Sequence, residues 1–131
     1  MNPKYRAWDK RRKEMCRVVS LDMYISRSSE VTIMDNNSDM HQRIIDDIEL
    51  MQSTGLKDKN GVEIFEGDIV NISSHTPFSN VVEFDKEGAS FMLRPVYKRW
   101  SSSYFTNYEN VDKKRFEIIG NIYENSELLE V

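Results

Sequence analysis

The sequence predicts a mainly β protein: a compact barrel from about Gly55 onward, an N-terminal β-rich extension, and short helices. Three observations lead there. Short runs rich in Val, Ile, Thr and aromatic residues recur along the chain. Clusters of Gly, Asn, Asp and Ser separate them at short intervals. Apolar residues at helical spacing are confined to one stretch, where a strand reading competes. A chain of 131 residues suits one compact unit with an appendage. The division expected is an extension over 1–53 and a barrel core over 54–131.

The elements follow in order. Tyr5-Arg6-Ala7-Trp8 alternates in polarity, as a half-buried strand does, and Lys10 to Lys13 is a solvated turn. Val18 to Ile25 and Val31 to Met34 are apolar and β-branched, with a loop from Ser26 to Glu30 between them. Asp35-Asn36-Asn37-Ser38-Asp39 is a break that also suits a cap for a helix beginning near Met40. Met40, Ile44, Ile48 and Met51 then fall at helical spacing, whereas Ile48, Leu50 and Gln52 alternate as in a strand. The second half of that stretch is read as strand.

Thr54 to Val70 is the most patterned segment. Asn60-Gly61 is a strong hairpin signal and predicts a type I′ turn, tightened by Asp58. Glu66-Gly67-Asp68 predicts a second reversal with Gly67 at positive φ. A strand then starts at Ile69. The segment is read as scaffold rather than site. Val81 to Phe84 and Ser90 to Leu93 form a further hairpin around a turn from Asp85 to Ala89, and Pro95 ends its second arm. Ser101 to Asn110 reads as a loop. Phe116 to Tyr123 is the last strand, bulged at Gly120, and Asn125 caps a short terminal helix holding Leu128 and Leu129.

Charge is unevenly spread. Residues 1–17 carry +5, residues 18–93 carry −9, and the remainder is neutral, which sums to −4. Such a split predicts complementary surfaces, within one fold or between subunits, and argues against a uniformly basic nucleic-acid binder. The single cysteine, Cys16, has no partner for an internal disulfide, which points to a reducing compartment. Its neighbours Arg12, Lys13 and Arg17 are placed to lower its pKa, although a plain reduced thiol is the simpler reading. No apolar run is long enough to span a membrane, and no signal-peptide pattern opens the chain. The expected compartment is the cytoplasm.

Lys4-Tyr5-Arg6-Ala7-Trp8-Asp9 with Met15, Thr54 to Gly61 followed by Ile64 and Glu66-Gly67-Asp68-Ile69, and Ile119 to Asn125 with Leu128-Leu129 together resemble the YopX family of phage and prophage proteins. The order is right and nearly the whole chain is covered. Ser53 stands where an aromatic is common in the family, and Ser126 where proline is common. The resemblance implies that the C-terminal barrel is SH3-like, that the protein comes from a phage or prophage in a bacterial host, and that it forms a homo-oligomer. It carries no activity and no catalytic residue.

The residues themselves show no catalytic motif. Asp35 to Asp39 begins like a calcium loop, but Met40 replaces the glycine and Asp46 the glutamate that such a loop needs. Cys16, His41 and His75 lack the spacing of zinc ligands. His75 beside Ser73-Ser74 is no triad, and Asp46-Asp47 and Glu63 with Glu66 are read as exposed charge. No cofactor, no metal and no enzymatic activity are therefore expected. Two binding readings remain. The favoured one is a self-associating protein-interaction module, with a host or phage protein as a further partner and Trp8, Trp100 and the tyrosines as anchoring residue types. The alternative is nucleic-acid binding through Arg94, Tyr97, Lys98, Arg99, Trp100, Lys113, Lys114 and Arg115, where bases and aromatics interleave.

Overall fold

A computed structural model describes residues 4–25, 27–72, 79–97, 103–104 and 116–130. The described strands form two antiparallel sheets, and the chain divides into two compact units, Met1–Gln52 and Ser53–Val131.

The N-terminal unit contains β1 (Tyr5–Asp9), β2 (Glu14–Asp22), β3 (Glu30–Met34), β4 (Met40–Ile44) and the first half of β5 (Ile48–Lys57). They lie in the order β4-β3-β2-β1-β5. The pleat sends alternate residues to opposite faces. In β3 it buries Val31 and Ile33 and leaves Glu30, Thr32 and Met34 half-buried. Ala7, Cys16 and Ile48 join Val31 and Ile33 to make the core, with Val18, Ile45 and Leu50 packed around it. Of the two readings left open from Met40, the helix is not formed. Residues 40–44 pair with β3 from Met34↔Met40 to Glu30↔Ile44 without interruption. Only a single 3-10 turn, Ile45–Asp47, separates β4 from β5. The period of two within Met40-His41-Gln42-Arg43-Ile44 prevails over the wider helical spacing, because a partner strand is already in place beside it.

In the C-terminal unit the second half of β5 meets β6 (Glu63–Phe65) through Ser53↔Phe65 and Lys57↔Glu63. The other strands are β7 (Asp68–Ile72), β8 (Ser79–Asp85), β9 (Ser90–Pro95), β10 (Ser103–Tyr104) and β11 (Phe116–Asn121), in the order β10-β9-β8-β7-β11. Ile64, Val70, Val82, Leu93 and Phe116 are buried together, with Leu56, Ile72, Phe91 and Ile118 against them. Among the described residues this sheet does not close into a barrel: it ends at β10 on one side and β11 on the other. Within the stretch expected to be loop, Ser103 and Tyr104 pair with Leu93 and Met92.

The turns explain why the strands stop where they do. Gly61 has φ +81°, but Asn60 is not in the left-handed region, so the turn is not type I′. The N–H of Gly61 donates to the Asp58 carbonyl at 3.0 Å, and the N–H of Asp58 to the Val62 carbonyl at 2.8 Å. This is a three-residue hairpin loop closed by a left-handed glycine. Gly67 lies at φ +84°, as the sequence suggests. The register of β11 against β7 shifts between Ile118 and Gly120. A Cβ at Gly120 would come within 2.6 Å of the Asn125 side chain. That side chain accepts from the Asn121 N–H at 3.1 Å rather than capping the Ser126–Leu129 3-10 turn that follows.

Candidate functional site

Two buried aspartates organise the polar part of the N-terminal unit. Asp9 ends β1 and is fully buried. Arg43 on β4 grips it with two bonds, Nε to Oδ1 at 3.1 Å and Nη2 to Oδ2 at 3.2 Å. Asp35 follows β3. Its Oδ1 accepts the N–H groups of Asn37 and Asp39, both at 2.9 Å. Its Oδ2 meets His41 Nε2 at 2.7 Å and Arg12 Nη2 at 3.2 Å. The His41 contact first, then the Asp39 N–H, hold the Asp35 carboxyl below its ordinary range; burial opposes them, and the Asn37 N–H and Arg12 assist.

The loop from Asp35 to Asp39 is thus a hairpin turn rather than a helix cap. The Asp35 side chain turns inward to its own backbone and to two cationic side chains. Cys16 is the nearest thiol in the charge network, and it is buried. Burial first, then Glu14, Asp9 and Asp35, push its pKa up to about 11, against a smaller opposing effect of Arg12. Arg12 lowers it, but by less than burial and the acidic neighbours raise it. A thiol so placed stays protonated and unreactive near neutral pH.

The basic arm and acidic middle meet within this unit. Lys10 pairs with Glu49 at 3.3 Å and Arg11 with Asp47 at 3.2 Å. These exposed pairs contribute little individually. They do show where much of the charge asymmetry is satisfied.

The basic-aromatic region is only partly visible. Arg94 lies on β9 and its Nε pairs with Glu83 on β8, which offsets its charge. Tyr97 is half-buried. Lys98, Arg99, Trp100, Lys113, Lys114 and Arg115 lie outside the described residues, as do Ser73, Ser74 and His75. The acids of the Thr54–Val70 segment do structural work where their bonds are described. Asp58 accepts the N–H groups of Asn60, Val62 and Ile118, and Asp68 that of Phe65. The scaffold reading fits them.

Exposed apolar side chains are concentrated in the N-terminal unit. Among the described residues of the N-terminal unit, seven large apolar side chains are exposed: Val19, Leu21, Met23, Tyr24, Ile25, Met40 and Ile44. Ile25 is fully open and Met23 is 75 % exposed. In the C-terminal unit only Val62 and Phe84 are comparably open among the described residues. The sequence does not reveal this exposure directly, because it leaves the helix and strand readings of the stretch from Met40 open. The signal was Met40-His41-Gln42-Arg43-Ile44, whose alternation puts apolar and uncharged side chains on the outward face.

A family model described as YopX protein matches residues 4–130. The chain belongs to the YopX family. Two solved structures resemble this YopX-family chain over nearly its whole length. Protein EF1440 from Enterococcus faecalis is 31% identical, with a TM-score of 0.68 and 99% of each chain covered. Protein yopX from Bacillus subtilis is 24% identical, with a TM-score of 0.62, over 99% of this chain and 100% of that one. No curated protein matches. Among the described residues of this YopX-family chain, no helix is long and apolar enough to cross a membrane.

Proposed function

We propose that this YopX-family chain is a phage or prophage accessory protein of the bacterial cytoplasm that works by binding and not by catalysis, as a self-associating interaction module. The observation that carries the reading is the exposed apolar set on the N-terminal unit, from Val19 to Ile25 and at Met40 and Ile44. Contiguous exposed apolar side chains mark interaction sites, and Met40 and Ile44 share the exposed face of one strand. The SH3-like character of the C-terminal sheet belongs to the same proposal. It is supported by the meander from β7 to β10, with the last strand, β11, returning beside β7.

Light scattering across a concentration series tests the reading. The expected mass at tens of micromolar is a multiple of the 15.5 kDa chain. A mass equal to one chain at high micromolar concentration overturns self-association. Nucleic-acid binding gains no support from Arg94, which is already paired with Glu83.

A further inference from the structure

We propose that two copies of this chain join edge to edge through β4, antiparallel, with Gln42 on the two-fold axis. The inference rests on the self-association reading above and gives it an address.

The argument begins with which backbone groups β4 leaves open. The Asp35 N–H donates to the Asp39 carbonyl at 2.9 Å, and the Ile45 N–H to the Ser29 carbonyl at 2.8 Å. Both bonds fall on odd-numbered residues of the outer segment. In an antiparallel ladder the hydrogen-bonded pairs alternate. His41 and Arg43 therefore direct their N–H and C=O groups to β3. Met40, Gln42 and Ile44 direct theirs away, along the free edge of the sheet, where β4 is the terminal strand; there the Gln42 carbonyl accepts from Arg43 Nη1 at 3.0 Å, an exposed bond that leaves its second lone pair for a partner strand.

Edges of this kind template pairing with another chain unless something blunts them. The other described edge strands are blunted. β6 has three residues and β10 two, and β11 carries a register shift. β4 has five residues in unbroken register, with no proline and no bulge. Its exposed side chains are Met40, Gln42 and Ile44, none of them charged. Inward-pointing charges also protect edges. Here the two inward groups are already matched, Arg43 by Asp9 and His41 by Asp35. Pairing would strand no lone charge.

The sequence of the strand is self-complementary. With Gln42 facing Gln42 of the second copy, Met40 faces Ile44 and Ile44 faces Met40. All three are positions whose backbone groups point outward, so each pair exchanges two hydrogen bonds. Met40 and Ile44, 60% and 42% exposed in the single chain, then cover each other. A shift of one residue would bring forward backbone groups already committed to β3. A shift of two would leave one apolar side chain against Gln42. A second copy therefore fits this edge better than an arbitrary extended peptide does.

The test uses the full chain and begins with the wild-type mass by light scattering. Gln42→Lys sets two ammonium groups across the axis, each in place of a Gln42 amide whose Nε2 donates to the Glu30 carboxylate at 2.8 Å. The expected result is a folded protein by circular dichroism whose mass falls to that of one chain. Gln42→Cys adds a geometric readout. Hydrogen-bonded antiparallel partners have Cα atoms about 5.5 Å apart, within the span a disulfide accepts. Mild oxidation should therefore link two copies through position 42. Met40→Cys should not cross-link, because its counterpart lies about 13 Å away along the strand. Cys16 is buried and stays out of the reaction. A monomeric wild type sinks both self-association and the β4 edge. An oligomeric wild type whose folded Gln42→Lys variant keeps its mass, or whose Gln42→Cys variant fails to cross-link, overturns the edge alone.

Discussion

Asp35 in the N-terminal unit and Asp58 in the C-terminal unit anchor the same hairpin turn in different company. In each, the aspartate N–H bonds to the carbonyl four residues on, and the residue three on returns its N–H to the aspartate carbonyl. In each, one carboxylate oxygen takes the N–H groups at the second and fourth following positions. The other oxygen makes the difference. For Asp35 it faces His41 and Arg12; for Asp58 it takes the backbone N–H of Ile118, 60 residues away, at 3.1 Å. One unit neutralises its buried carboxylates with side-chain cations, as Arg43 also does for Asp9. The other uses peptide dipoles. The first arrangement can be dismantled by one side-chain change at a distance, while the second is built from backbone donors that most side-chain substitutions leave in place.

Arg43 gives the largest effect. Removing one partner of a buried ion pair leaves the other charged and desolvated, which costs about 3–5 kcal/mol. Arg43 is nearly buried and Asp9 fully so. Arg43→Met should therefore destabilise the N-terminal unit by about 3 kcal/mol or more in urea unfolding. A loss below ~1 kcal/mol would mean that Asp9 finds another donor. Next comes Asp58→Ala, which orphans three N–H groups at once. At 1–3 kcal/mol for each buried unsatisfied group, with partial relief from water, the expected cost is about 3 kcal/mol. Asp58→Asn should cost less, because its carbonyl oxygen can still accept.

Acid should act on both turns. Burial alone would raise the Asp58 carboxyl, but the Ile118, Val62 and Asn60 N–H groups and Lys59 outweigh it and hold it below its ordinary 3.8. Asp35 is lowered too. A carboxylate lowered in the folded state contributes stability that is present above the unfolded pKa and lost as pH falls through the folded one. The contribution of these two groups to the melting temperature should thus be level above about pH 5 and fall below about pH 4. In Asp58→Asn the fall below pH 4 should be shallower. An equally steep fall in that variant would remove Asp58 from the account.

The legibility of the two turns in the sequence follows from how local their signals are. Asn60-Gly61 after Asp58 announces a hairpin, because glycine is the residue that takes positive φ without strain. Only the turn type differs: Asp58 closes a three-residue loop, leaving Asn60 in ordinary backbone space. Asp35 to Asp39 sends a weaker signal, since Ser38 holds the left-handed position, and the stretch reads as a break that also suits a helix cap. Most strands were legible from β-branched runs and turn residues. The pairing of Arg43 with Asp9, 34 residues apart, was not, because a long-range ion pair leaves no periodic trace. The open edge of β4 was hidden for the same reason: an edge is defined by which strands are absent beside it.

The smallest effect separates the two turns most cleanly. Ser38 sits at φ +67° and Gly61 at φ +81°. A side chain in the left-handed region costs roughly 1 kcal/mol from contact between Cβ and the following carbonyl. Ser38→Gly should remove that strain, although glycine's extra freedom in the unfolded chain returns part of the gain. The net stabilisation expected is a few tenths to about 1 kcal/mol. Gly61→Ala is the mirror experiment. No atom lies within 4 Å of the added Cβ, so any loss comes from the backbone alone. It should cost about 1 kcal/mol. If the two substitutions shift the urea midpoint in opposite directions by similar amounts, the two loops are the same object energetically, and the difference between the units resides in what holds the second carboxylate oxygen. If Ser38→Gly destabilises instead, the Ser38 side chain contributes to the Asp35 turn in a way that its backbone angle does not reveal.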